Sequence, residues 1–281
     1  MKILKPYIIE LAPTLTHHWY NVWKQKPNGD KGRFVGCFPS STTILNAYPQ
    51  SAYLTEWIAK QGWSEAQAIK SAAGERGTNV HAGIEYLLSG QEISQGYMVP
   101  GGRYPLSIEE YWRLSVFVDW YNEFKPEILG TEISVFSRKH KYAGRFDCLA
   151  KINGEITVLD WKTSSSIHEN FPLQVASYAQ AIEENSDMKI VQTGIVQVGN
   201  KSKSGYRMVL YPEWRDHYKV FRNVQKVWQY DYFDSKKNPK EPPVLDLPDT
   251  LVLKYKHEPE EKVKEAAPSG GTATTIKPYD L

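Results

Sequence analysis

Three charged residues interrupt a stretch that otherwise reads as buried sheet. In AGRFDCLAKINGEITVLDWKT (143–163), Asp147, Asp160 and Lys162 sit among Phe, Leu, Ile and Val. Hard divalent cations take carboxylate oxygens. An ammonium beside such a cation adds positive charge that suits an anionic ligand. Paired carboxylates also serve glycosidases. Here the lysine, and the basic runs SRKHKYAGR (137–145) and NKSKSGYR (200–207), suit a phosphate better than a sugar.

The turn decides where those charges fall. Asn153-Gly154 supplies the two positive-φ residues that a type I′ hairpin requires. With that turn, Ile152 faces Glu155, Leu149 faces Val158 and Asp147 faces Asp160, and directly opposed Cβ atoms lie about 4.5–5.5 Å apart. Lys162, two residues beyond Asp160, shares its face. A bulge beside a functional site would shift this register. An edge hairpin with solvated charges is the bland alternative. It fits poorly, because both faces carry apolar residues: Phe146, Cys148 and Ala150 on one, Leu149, Ile156 and Val158 on the other. A bound divalent cation turns the like-charge repulsion into the reason for the arrangement.

Around this hairpin the chain alternates helix and strand. Helical patterns fall at about 51–60, 65–72 and 78–89, and again at about 107–124 ahead of Pro126. A loop rich in glycine and proline, GYMVPGGRYP (96–105), separates the last two. Strands are expected at about 130–138, 143–152 and 155–163, then a helix with Pro172 in its first turn that runs to about Glu184. Strands at about 191–199 and 206–211 and a helix at about 213–230 follow, the helix with Trp214, Tyr218, Phe221, Val224 and Trp228 on one face. The order helix, three strands, helix, strand describes an α/β domain around a mixed sheet. Three regions result: an irregular N-terminal extension over 1–50, a main domain over 51–235, and a flexible tail over 236–281 rich in Lys, Pro, Glu, Gly and Thr.

Composition narrows the classes further. The 281 residues, 41% hydrophobic and 23% charged, are ordinary for a folded domain with a sizeable core. No apolar run approaches the roughly 20 residues of a membrane span, and the N-terminus has no sustained hydrophobic region, so a cytoplasmic location is expected. Two cysteines, Cys37 and Cys148, are too few for a disulfide framework or a zinc cluster. The net charge of +2 names no partner by itself.

At the hairpin and its neighbours the chain resembles the PD-(D/E)XK nuclease superfamily, in its RecB-like and phage-type exonuclease branch. The family pattern has an acid in one strand, acid-x-Lys in the next and Gln-x-x-x-Tyr on a helix. Here these read GRFD ending at Asp147, LDWK with Asp160 and Lys162, and QVASY with Gln174 and Tyr178. A histidine on an upstream helix matches RGTNVHAGIE, with His81. The likeness covers residues 74–200; the first acid follows Phe rather than Pro, and the four-cysteine iron–sulfur element of some relatives is absent.

The resemblance implies a restriction-endonuclease-like core, α-β-β-β-α-β, with a central mixed sheet flanked by helices and an N-terminal helical extension. It implies a DNA exonuclease using Mg2+ or Mn2+ in recombination, repair or DNA processing in a phage or bacterium. Asp147, Asp160, His81 and the backbone carbonyl of Trp161 would be metal ligands, Lys162 would orient or deprotonate the attacking water, and Gln174 and Tyr178 would support the site. Glu85, one turn from His81, and Glu132, in the first strand, are further candidates, and Arg76 and Arg145 are candidate phosphate contacts. A structure-specific endonuclease on the same core and a non-catalytic DNA-binding recombination scaffold are the rival readings. The scaffold is disfavoured because Asp147, Asp160 and Lys162 are all present. DNA is the expected substrate, with a recombination or single-strand-binding protein as a further partner and the oligomeric state left open.

Overall fold

The computed structural model describes residues 7–14, 18–234, 244–245 and 247–248. At the N-terminus, β1 (Tyr7–Leu11), β2 (Trp19–Gln25) and β3 (Lys31–Pro39) form an antiparallel sheet in that order, followed by the short helix α1 (Ser41–Leu45). Among the described residues this corrects the expectation of an irregular 1–50 and of a helical N-terminal extension. The strands are rich in aromatic and β-branched residues, which suit a pleated surface. Their alternation is broken by register shifts between Val22 and Trp23 and between Trp23 and Gln25, so no clean period of two appears in the sequence. α1 is capped by Ser40, whose Oγ accepts the Thr43 amide at 2.9 Å. The tail expected over 236–281 lies, apart from residues 244–245 and 247–248, outside the described residues.

Next come α2 (Ala52–Gln61), α3 (Trp63–Leu88) and α4 (Ile108–Phe124). α3 is one helix of 26 residues where two were expected. Gly74 and Gly77, each about 1 kcal/mol worse than Ala in a helix interior, look like a break. Gly77 has a packing reason instead: a Cβ there would come within 3.3 Å of Thr163 Oγ1. The missing side chain lets α3 lie against the segment around Thr163. α2 buries none of its residues and α3 ahead of Asn79 buries only Ala66, so this helical pair stands exposed.

The main sheet has the order β4 (Glu127–Ser137), β5 (Tyr142–Ile152), β6 (Glu155–Lys162), β7 (Gln192–Val198), β8 (Tyr206–Tyr211). β6 and β7 run parallel, and the other neighbours are antiparallel. Parallel neighbours need a crossover, here α5 (Phe171–Asn185); α6 (Trp214–Gln229) follows β8. The result is a central mixed sheet flanked by helices. No described helix is long and apolar enough to cross a membrane.

Two apolar layers clamp the sheet. Leu149 and Val158 pack with Leu173, Ala176 and Ile182 of α5 and with Phe221, Val224 and Trp228 of α6. Cys148, Ala150, Leu159 and Trp161 pack with Val80 and Ile84 of α3 and Leu114, Phe117 and Trp120 of α4. Trp161 meets Phe117 and Trp120 edge-on, with ring centroids 5.3 Å from each. Strand alternation therefore turns Asp160 and Lys162 to the α5 side. One face assignment is corrected: Phe146 packs with Tyr178 of α5, opposite Cys148 and Ala150. Gly144 makes room for the Tyr178 ring, since a Cβ there would fall 2.4 Å from Tyr178 Cε1. Both groups are buried, so Gly144→Ala is expected to lower stability by about 1–3 kcal/mol, read as a lower urea midpoint at unchanged m-value.

Candidate metal centre and active site

The site starts from a fault in the sheet. β5 pairs with β6 from Ile152–Glu155 as far as Cys148–Leu159, and the ladder ends there. On its other side β5 pairs with β4 at Thr131–Cys148 and Ile133–Phe146, with no pair between them. Both ladders let go at Asp147. The hairpin register is the expected one, but Asp147 and Asp160 are not ladder partners. Asp147 Oδ2 instead accepts the Trp161 N–H at 2.7 Å. Opposed carboxylates repel, and a buried amide left unpaired costs about 1–3 kcal/mol, so this one bond relieves both problems. Opposite Asp147 on β4, Glu132 adopts φ 52°, a left-handed conformation costing a non-glycine residue about 1–2 kcal/mol. Across the unpaired Asp147, Phe146 and Cys148 lie on opposite faces of β5.

Four elements bring side chains to this gap. His81 of α3, Glu132 of β4 and Asp147 of β5 each offer a ligand atom, all within 4.8 Å of one another. His81 Nδ1 lies 3.4 Å from Asp147 Oδ1, and Arg145 Nε lies 2.5 Å from Glu132 Oε2. On β6, buried Asp160 meets Lys162 Nζ at 2.5 Å through Oδ2. The contact is an ion pair, and no donor reaches that oxygen in good hydrogen-bond geometry. Lys162 Nζ also donates to Gln174 Oε1 at 3.2 Å and stands 4.5 Å over the Phe171 ring. Gln174 Nε2 then donates to Tyr178 Oη at 3.0 Å, one helical turn on.

Electrostatics pull these groups apart. Burial raises the Asp160 carboxyl, the Asp147 charge adds to this, and Lys162 only partly offsets it, leaving the pKa at about 6. Burial acts on Asp147 in the same sense, but there His81, Lys162 and the Trp161 N–H outweigh it and hold the carboxyl below its usual value. Burial would lower His81, yet the charge of Asp147 keeps it above the ordinary histidine value. Glu132 is raised by burial and by Asp147, against the pull of Arg145. Two carboxylates and an imidazole within 4.8 Å of one another, with the buried Asp160 beside Lys162 and one of its oxygens lacking a donor, make a donor set that fits a divalent cation taking oxygen and nitrogen ligands.

The expected site residues are thus mostly together, with some redistribution. Glu132 joins His81 and Asp147, whereas Asp160 is turned to Lys162. Trp161 enters through its N–H to Asp147. Glu85 is exposed on α3, outside the triad, though its charge reaches Glu132. Arg145 is paired with Glu132, and Arg76 lies apart, in a cavity with Arg113, Thr163 and Ser164.

No protein-family model matches this chain. It is similar to proteins named mitochondrial genome maintenance exonuclease 1. It is 28% identical to the mouse (Mus musculus) protein over 187 residues, 59% of this chain and 51% of that protein. It is 28% identical to the Xenopus tropicalis protein over 186 residues, and 27% identical to the human protein over 183. The chain spans about half the length of the curated relatives it matches.

Two residues escaped the sequence reading. Phe171, the ring beneath Lys162, sits just ahead of Pro172 at the start of α5; an aromatic beside a helix-opening proline was the signal. Arg113, which ties Thr163 to β7, has no motif and is found only in three dimensions. The left-handed backbone at Glu132 gives a test. Glu132→Gly removes the strain that Glu132→Ala keeps, so the glycine variant should be more stable than the alanine variant by about 1 kcal/mol. Both should bind Mn2+ at least about tenfold more weakly than the parent, as read by calorimetry.

Proposed function

We propose that this protein is a divalent-metal-dependent deoxyribonuclease, an exonuclease of the PD-(D/E)XK superfamily on a restriction-endonuclease-like core. The observation that carries the reading is the meeting of His81, Glu132, Asp147, Asp160 and Lys162 where β5 releases both neighbours. The element order α4-β4-β5-β6-α5-β7 agrees with the α-β-β-β-α-β core. The relatives' name, an exonuclease of genome maintenance, supports action on DNA ends in recombination, repair or processing. The word mitochondrial in that name describes those proteins, and no compartment is carried from it.

His81, Glu132 and Asp147 would hold Mg2+ or Mn2+, with Asp160 beside them. Such an ion supplies Lewis-acid stabilisation of phosphate charge and lowers the pKa of water. The chain's own contribution is order. Asp160, Gln174 and Phe171 fix the Lys162 ammonium before substrate arrives, so it meets the developing negative charge without reorganising. Gln174 uses its carbonyl on Lys162 and its amide on Tyr178, which sets its orientation. Lys162 is the group that orients or deprotonates the attacking water and binds the phosphate.

End-labelled linear DNA and a covalently closed circle, each with Mg2+ or Mn2+ and with or without chelator, test the reading. The linear substrate should be degraded only with metal and the circle should survive; nicking of the circle replaces the exonuclease with an endonuclease. Asp160→Ala should cost at least about a hundredfold in rate while DNA is still bound, and undiminished digestion by that variant sinks the assignment. Gln174→Ala, which loosens Lys162, should lower kcat by about ten- to a hundredfold with little change in KM.

A further inference from the structure

A small cavity opens where α3 passes the end of β6. Its volume is about 250 Å³, and Ala73, Gly74, Arg76, Arg113, Thr163 and Ser164 line it. Its back wall is rigidly built. Arg113 Nη1 donates to the carbonyls of Thr163 at 2.9 Å and Val198 at 2.8 Å, and Nη2 pairs with Glu109 at 2.9 Å. Gly199 keeps clear of this guanidinium, since a Cβ there would lie 2.4 Å from Arg113 Nη1. Arg76 differs: among the described residues it makes no hydrogen bond and no close ion pair. The lining carries two guanidiniums and no carboxylate; Glu109, which is not among the lining residues, is engaged by Arg113 and feels the Arg76 charge as well. Gly74 has open space beyond it, where a Cβ would meet nothing within 4 Å.

Position adds to charge. Thr163 and Ser164 directly follow Lys162, and two residues of chain span at most about 7 Å, the scale of one nucleotide step. The basic run at 200–207 continues the path: Gln197 Nε2 donates to the Ser164 carbonyl at 2.7 Å and Asn200 Nδ2 to Gln197 Oε1 at 3.4 Å, with Lys201 and Lys203 exposed just beyond. We propose that Arg76, Thr163 and Ser164, backed by Arg113, form a second phosphate-binding subsite beside the reaction centre. It takes the phosphate next to the one at Lys162, and this assignment rests on the nuclease reading for its substrate. The ligand chemistry is a phosphate group, either an internal diester of the strand or a terminal monoester.

The test is binding by the full chain, in chelator, of short fluorescent single strands bearing a 5′-phosphate, a 5′-hydroxyl or a 3′-phosphate, across a range of NaCl. Arg76→Gln should weaken binding about tenfold at low salt and reduce the slope of log K against log salt by about 0.7, one contact's worth for a single strand. Arg76→Lys should restore most of both. An equal loss on all three strands assigns an internal diester, and a loss confined to one phosphorylated end assigns a terminal phosphate; either supports the subsite. Unchanged affinity and slope in Arg76→Gln overturn it, as does a drop in melting temperature, which would make Arg76 a structural residue. Failure of the nuclease reading looks different: no digestion with either metal, while Arg76-dependent binding persists.

Discussion

Repulsion between carboxylates inside a sheet is the constraint around which this molecule is built. A strand covered on both faces has no solvent to screen charge, and an isolated buried carboxylate costs several kcal/mol. Asp147 and Asp160 lie on neighbouring strands in a register that would set them opposite each other. The ladder ends one pair earlier, Asp147 takes a backbone amide, and Asp160 takes a lysine. The gap on the β4 side, with Glu132 in a left-handed conformation, belongs to the same accommodation. Backbone strain and a raised Asp160 are both costs of keeping acids together, of the kind found where a binding site opposes local stability.

The surrounding core holds that arrangement in place. Trp161, wedged between Phe117 and Trp120, cannot turn without disturbing the α4 layer. Because strand side chains alternate, fixing Trp161 fixes the direction of Asp160 and Lys162. On the opposite face α5 supplies Phe171, Gln174 and Tyr178, and the crossover that makes β6 and β7 parallel is what brings this helix past Lys162. Gly144 and Gly77 are two of the places where a missing side chain allows a helix residue or a helix to approach closely. One admits Tyr178, and the other admits α3, which carries His81.

Much of this was legible because it is local. The Asn-Gly turn, the proline opening α5 and the Trp214–Trp228 stripe each depend on a few adjacent residues, and the period of two correctly puts Asp160 and Lys162 on one face. The illegible parts depend on distant contacts. Nothing near Glu132 announces its left-handed φ, which follows from what Asp147 does on the next strand. The exchange of Asp160 for Glu132 beside His81 and Asp147 occurs at the same unpaired position of β5. The N-terminal sheet was missed because its register shifts scramble the alternation of β2 and β3. The break expected between residues 72 and 78 was missed in the other sense: Gly77 answers to Thr163, far along the chain, rather than to helix propensity.

That unbroken helix has a mechanical meaning. At 1.5 Å per residue, His81 stands about 27 Å along α3 from Trp63, and the outer half is bare of core contacts apart from Ala66. A stiff rod whose outer half meets little besides α2, with His81 in its inner half, is a lever. A displacement of the outer turns would reach the imidazole through continuous helix, with no loop in between to absorb it.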